Sequence, residues 1–149
     1  MDKLERIIFV ARSGNCREPM AMGILNDLGL KYDVEILARG LVVSFPDPMN
    51  GKAEAVLISN GIALENFTSS PLKNEEITEN TLIFTMEKVQ REKVLSHYEN
   101  AKVENVHVLT DFVGDELEII DPYGGSLQSY GLCYETLRKS IKKLVKILN

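Results

Sequence analysis

The residues with chemical promise lie in the run Ala11-Arg12-Ser13-Gly14-Asn15-Cys16-Arg17-Glu18, directly after four apolar residues. A short loop of small residues between a strand and a helix turns backbone N–H groups inward. It also sets the positive end of the helix dipole beneath them, which is the chemistry of an anion site. Arg17, at the end of the loop, adds a planar fork suited to phosphate oxygens. The loop is neither a Gly-Lys-Ser/Thr nucleotide loop nor a GxGxxG turn. A second segment, Asp121-Pro122-Tyr123-Gly124-Gly125-Ser126, places a carboxylate in a turn ahead of a long amphipathic stretch. Asp-Pro is an ordinary turn pair, but a carboxyl in such a place can also serve as a general acid.

The elements that must hold these residues alternate along the chain. Ile7-Ile8-Phe9-Val10 is a continuous apolar run, the mark of a strand buried on both faces. Pro19 then announces a helix with Met20, Ile24, Leu25 and Leu28 on its apolar side, closed by Gly29. A second strand is expected at about Val34 to Ala38, a loop at Ser44 to Pro48, and a helix from Lys52 to Ser59 ending at Asn60-Gly61. Thr81 to Thr85 reads as a third strand, and Glu87 to Tyr98 as a charged helix with Val89, Val94, Leu95 and Tyr98 inward. Val106 to Leu109 reads as a fourth strand. In the last helix Leu127, Tyr130, Tyr134, Leu137, Ile141, Leu144 and Leu148 recur at spacings of three and four. Lys139, Lys142, Lys143 and Lys146 lie off that stripe and read as a solvated face near the negative end of the dipole. Strands alternating with helices predict a parallel sheet covered on both sides. Ligands of such sheets bind outside the carboxyl ends of the strands, where both chemical segments fall.

Composition sets the class. A chain of 149 residues, 44% hydrophobic and 26% charged, is expected to form one domain, residues 1–149, with a core of ordinary size. The net charge of −5 argues against binding nucleic acid through an overall positive field. No apolar run approaches a membrane span, and the mixed-charge start does not read as a secretory signal. The two cysteines, Cys16 and Cys133, are too few for a disulfide framework. A cytoplasmic protein without cofactor or metal is the expectation. His97 and His107 read as structural, and no metal cluster is visible.

Order and spacing from the first strand to the last helix resemble the low-molecular-weight protein tyrosine phosphatases. The family's first signature is V-C-x-G-N-x-C-R-S-P-M-A; here it runs Val10-Ala11-Arg12-Ser13-Gly14-Asn15-Cys16-Arg17-Glu18-Pro19-Met20-Ala21. Its second, D-P-F/Y-G-G-S, matches Asp121 to Ser126. The resemblance implies a three-layer, flavodoxin-like α/β domain with a four-stranded parallel sheet in the order 2-1-3-4. It implies phosphate-monoester hydrolysis on phosphorylated proteins, with Arg12, Ser13, Gly14, Asn15, Cys16 and Arg17 forming the phosphate loop. It further implies Asp121 as general acid, with Phe45 and Tyr123 as aromatic walls.

The departures bear on chemistry. Ala11 stands at the position of the cysteine nucleophile, and a methyl group cannot form a phosphoenzyme. Glu18 replaces the hydroxyl that supports the thiolate, and Ser13-Gly14 replaces the family's Gly-Asn pair. A one-residue slide puts Val10 or Arg12 at the nucleophile position. Cys16 is followed six residues later by Met22, not arginine, so no shifted motif starts there. Three changes in one loop read as divergence rather than as a single engineered replacement. The expected protein is therefore a phosphatase-like chain without cysteine-dependent activity, with a non-catalytic phospho-ligand or partner-binding module as the alternative. Arsenate reduction on this scaffold also needs the missing thiolate. A receiver domain is set aside because Ala11-Arg12 and Thr85-Met86 stand where its acids would be. For Glu18, a place in the first helical turn favours an outward pose, with the carboxylate in water. On that expectation the loop binds phosphate weakly.

Overall fold

The computed structural model describes residues 3–149; the first two residues of the leader reading, Met1 and Asp2, lie outside the described residues. Strand β1 (Arg6–Ala11) runs through the centre of the molecule, with five of its six residues buried. It pairs in parallel with β2 (Glu35–Gly40) on one side and β3 (Thr81–Thr85) on the other. Strand β4 (Val106–Val108) completes the sheet beyond β3, in the order 2-1-3-4. The expected α/β architecture is the observed one.

Because side chains alternate across a strand, β1 feeds two cores. Ile7, Phe9 and Ala11 face the helices α1 (Arg17–Leu28), α2 (Gly51–Ser59) and α5 (Leu127–Leu148). Ile8 and Val10 face the side covered by α3 (Lys88–His97). On α5, Tyr130, Tyr134, Leu137, Ile141 and Leu144 are buried as the periodicity predicts, while Leu127 at its start is 54% exposed. Lys143 turns to Asp115, which also accepts from Ser140 at 2.6 Å, so part of the lysine face pins the segment before the Asp-Pro turn.

Three local expectations need correction. Leu109 does not end the fourth strand: it opens α4 (Leu109–Val113), a five-residue helix closed by Gly114 at φ +82°. Val89 does not face inward but is 49% exposed. Its neighbour Gln90 is buried instead, accepting from the N–H groups of Met86 and Glu87 at the start of α3. Helix α1 begins at Arg17, two residues before Pro19. No described helix is long and apolar enough to cross a membrane.

The candidate phosphate loop and acid segment

The chain passes from β1 to β2 on one side and then from β2 across to β3 on the other, so the winding reverses between β1 and β3, where ligands of such sheets bind beyond the carboxyl ends. The loop of residues 11–17 sits there, held from outside by its own carbonyls. Ala11 and Arg12 accept from Leu41 N–H at 3.0 Å each, Arg12 also accepts from Val42 at 2.8 Å, and Asn15 accepts from Asn50 at 2.8 Å. In a planar trans peptide a carbonyl turned outward sends the following N–H the other way. The N–H groups of Arg12, Ser13 and Cys16 therefore point away from Leu41, Val42 and Asn50. Gly40, at the end of β2, presses on this loop so closely that a Cβ there would lie 2.6 Å from the nitrogen of Gly14. Gly14 itself has φ +79°, a conformation that glycine adopts without strain. The Ser13 hydroxyl donates to the Asn15 side chain at 2.8 Å.

Glu18 overturns the outward expectation. It is 1% exposed, and its Oε2 accepts the N–H of Gly14 at 2.5 Å. Its Oε1 is buried with no partner among the described residues. Burial raises its carboxyl above the usual range, opposed by the N–H groups of Glu18, Gly14 and Cys16 and by the Arg17 charge. The physical reason for the inward pose is local: Gly14 supplies a loop N–H four residues earlier, within reach of a side chain in the first turn of α1.

Arg17 is also claimed by the chain. Its guanidinium is 3% exposed and donates through one nitrogen to Glu87 at 2.6 Å and to the Ile119 carbonyl at 2.7 Å. The other terminal nitrogen lies 3.8 Å from Asp121. Arg17 thus ties the phosphate loop to the end of β3 and to the acid segment. Sequence reasoning missed Glu87, 70 residues away, for which no local signal exists.

Arg12 is exposed, as expected of a loop residue. Ala11 is 1% exposed at the end of β1. Asp121 is part-exposed and accepts from the N–H of Tyr123 at 3.0 Å, the geometry of an Asp turn. Tyr123 and Phe45 are 82% and 66% exposed. Tyr123 lines a cavity that runs along α5 and contains neither Phe45 nor any loop residue. Cys16 and Cys133 are free, buried thiols. Burial and the nearby carboxylates push Cys16 upward, and burial pushes Cys133 up to about 12, so neither is poised as a thiolate. His107 packs between Phe84 and Phe112 and bonds the Glu104 carbonyl; His97 bonds that of Lys93. No group of three metal-ligating side chains occurs among the described residues.

The chain as a whole is similar to known proteins. The family described as low molecular weight phosphotyrosine protein phosphatase matches residues 6–149. A protein-arginine-phosphatase of Geobacillus stearothermophilus is 30% identical over 96% of this chain and 95% of its own length. The tyrosine phosphatase PtpB of Staphylococcus haemolyticus is 29% identical over 93% of this chain and 96% of its own. Among solved structures, a low molecular weight tyrosine phosphatase of T. tengcongensis superposes with a TM-score of 0.90 at 29% identity, covering 97% of this chain and 99% of that one. By sequence span and by fold, this chain belongs to the low molecular weight phosphotyrosine protein phosphatase family.

Proposed function

We propose that this chain is a non-catalytic member of its family that acts by binding a partner protein in the cytoplasm. The observation that carries this reading is the loop itself: a methyl group at Ala11, the position of the nucleophile, and a buried carboxyl at Glu18. The loop keeps N–H groups that point away from its outer supports, but the chain's own groups engage its anion-binding resources. Gly14 N–H is turned onto Glu18, and Arg17 onto Glu87, Ile119 and Asp121. Two unit charges 4 Å apart repel by about 4 kcal/mol at an effective dielectric of 20, so an ionised Glu18 opposes an entering phosphoryl group. A partner is then recognised by something other than a phosphate. Asp121, which would protonate a leaving oxygen, has no nucleophile to assist.

The test is hydrolysis of p-nitrophenyl phosphate by the intact chain and by Cys16→Ser. The expectation is no turnover above buffer for either and no phosphocysteine on acid quench. A trapped phosphocysteine, or turnover abolished in a folded Cys16→Ser, overturns the reading.

A further inference from the structure

A groove of about 570 Å³ lies between the segment 117–125 and the first turns of α5. Four large apolar side chains on its walls stand open to solvent: Leu117 at 75%, Ile120 at 77%, Tyr123 at 82% and Leu132 at 63%. Scattered exposed apolar residues are ordinary, but several gathered on one concave surface mark an interaction site. The groove is also preformed. Lys88 N–H donates to Glu118 at 2.7 Å, Ile119 N–H to Met86 at 3.2 Å, and Arg17 to the Ile119 carbonyl at 2.7 Å. Behind it Asp115 is held by Ser140 and Lys143. A binder therefore meets little ordering cost in the wall itself.

The charged side chains that line the groove are both acidic, while Arg17 beneath Asp121 and Lys52 on the Gly125 carbonyl are cations already engaged by the chain. Glu118 and Asp121 are part of its lining, and exposed Glu116 adjoins Leu117. No lysine or arginine lines it. Lys139 and Lys143 act on Asp115, in the neighbouring part of the surface.

We infer that this groove docks an apolar segment of a partner protein flanked by arginine or lysine. The apolar side chains of that segment would cover Leu117, Ile120 and Leu132, and its cations would face the acidic rim. This names the partner surface for the non-catalytic reading above and rests on it only in supposing that a partner exists. The residues changed in the test, Glu116, Ile120 and Leu132, all lie outside the loop of residues 11–17.

The test pans a phage-displayed library of random dodecapeptides on the intact chain. Selected sequences are then made as labelled peptides and titrated by fluorescence polarisation. The expected consensus pairs two or more of Leu, Ile, Phe and Met with Arg or Lys. Affinity should fall at least tenfold in the double variant Ile120→Ser/Leu132→Ser. It should fall severalfold in Glu116→Lys, with a weaker salt dependence. Both changes are at exposed positions, and circular dichroism melts verify the fold. Acidic or purely apolar selected peptides, undiminished binding to the double variant, or no saturable binder overturn the inference. Sedimentation showing a dimer that the double variant abolishes also overturns it, in favour of a second copy as occupant. Peptide affinity is read without any turnover, so hydrolysis of p-nitrophenyl phosphate would defeat the non-catalytic reading while leaving the docking result to stand or fall alone.

Discussion

The loop after β1 and the segment ahead of α5 face each other across Arg17, yet they have diverged in opposite ways. Residues 11–18 keep the backbone frame of an anion cradle while the side chains that would use it are changed or tied down. Residues 121–126, which resemble the family's second signature throughout, are mostly open to water, with Asp121 exposed and Tyr123 82% exposed around a buried Pro122. The contrast has a physical basis. The loop's frame is fixed by packing against Gly40 and by outward carbonyls, neither of which involves the side chain at position 11. The segment ahead of α5 is fixed by Arg17, by Glu118 and by its own Asp turn.

Restoring the chemistry should produce the largest effect. Ala11→Cys alone is expected to give little hydrolysis, because the buried Glu18 carboxylate would raise the thiol and repel phosphate. Ala11→Cys with Glu18→Ser should give clearly more, measured as p-nitrophenyl phosphate turnover. If the single change already restores full turnover, Glu18 does not govern the loop.

Removing the tie between the two regions comes next. Arg17→Ala leaves the Ile119 carbonyl and Glu87 without their cation, and costs about 2–3 kcal/mol of stability in urea denaturation. The figure is below that for a wholly buried pair because Glu87 is 33% exposed. A loss under about 0.5 kcal/mol would show that the tie is incidental.

A smaller effect is expected from pH. Burial raises Glu18 in the folded chain above its unfolded value. Its stabilising contribution is therefore full below the unfolded value and is lost as pH climbs through the folded one. Glu18→Gln, which does not titrate, should gain stability relative to the unaltered chain as pH rises from acid to neutral. A difference that stays flat, or runs the other way, contradicts the buried, raised carboxyl. Smallest of all is Asp121→Asn, expected to change stability by under about 0.5 kcal/mol, since its contact with Arg17 is 3.8 Å and part-exposed. A larger loss in the same denaturation would show that the acid segment depends on Asp121.

The sequence was most informative where a pattern is repeated or a motif is contiguous. β1 is legible because a four-residue apolar run has few alternatives, and α5 because seven apolar residues keep helical spacing. The 2-1-3-4 order came through the resemblance, since pairing between strands 30 to 70 residues apart leaves no local trace. Helix α4 was hidden because five residues are too short to show a period. Val89 and Gln90 exchanged roles because a buried glutamine at a helix start satisfies two N–H groups, which hydrophobicity does not reveal. At the candidate site, Asp121 was singled out only through the resemblance, whereas the turn between β1 and α1 with Arg17 at its end was legible from the strand-loop-helix pattern. The direction of Glu18 was not, because it depends on whether a loop N–H four residues back is free to receive it. Glu87 was not, because it belongs to another strand's end.

The most direct measurement is thermal unfolding with and without millimolar phosphate at fixed ionic strength, on the unaltered chain and on Glu18→Ala. The account predicts an unchanged melting temperature for the unaltered chain. For Glu18→Ala it predicts a rise, equivalent to about 2.7 kcal/mol at a hundredfold excess over the dissociation constant. A rise of the same size in the unaltered chain would contradict it, because the loop would then accept a phosphate with Glu18 still in place.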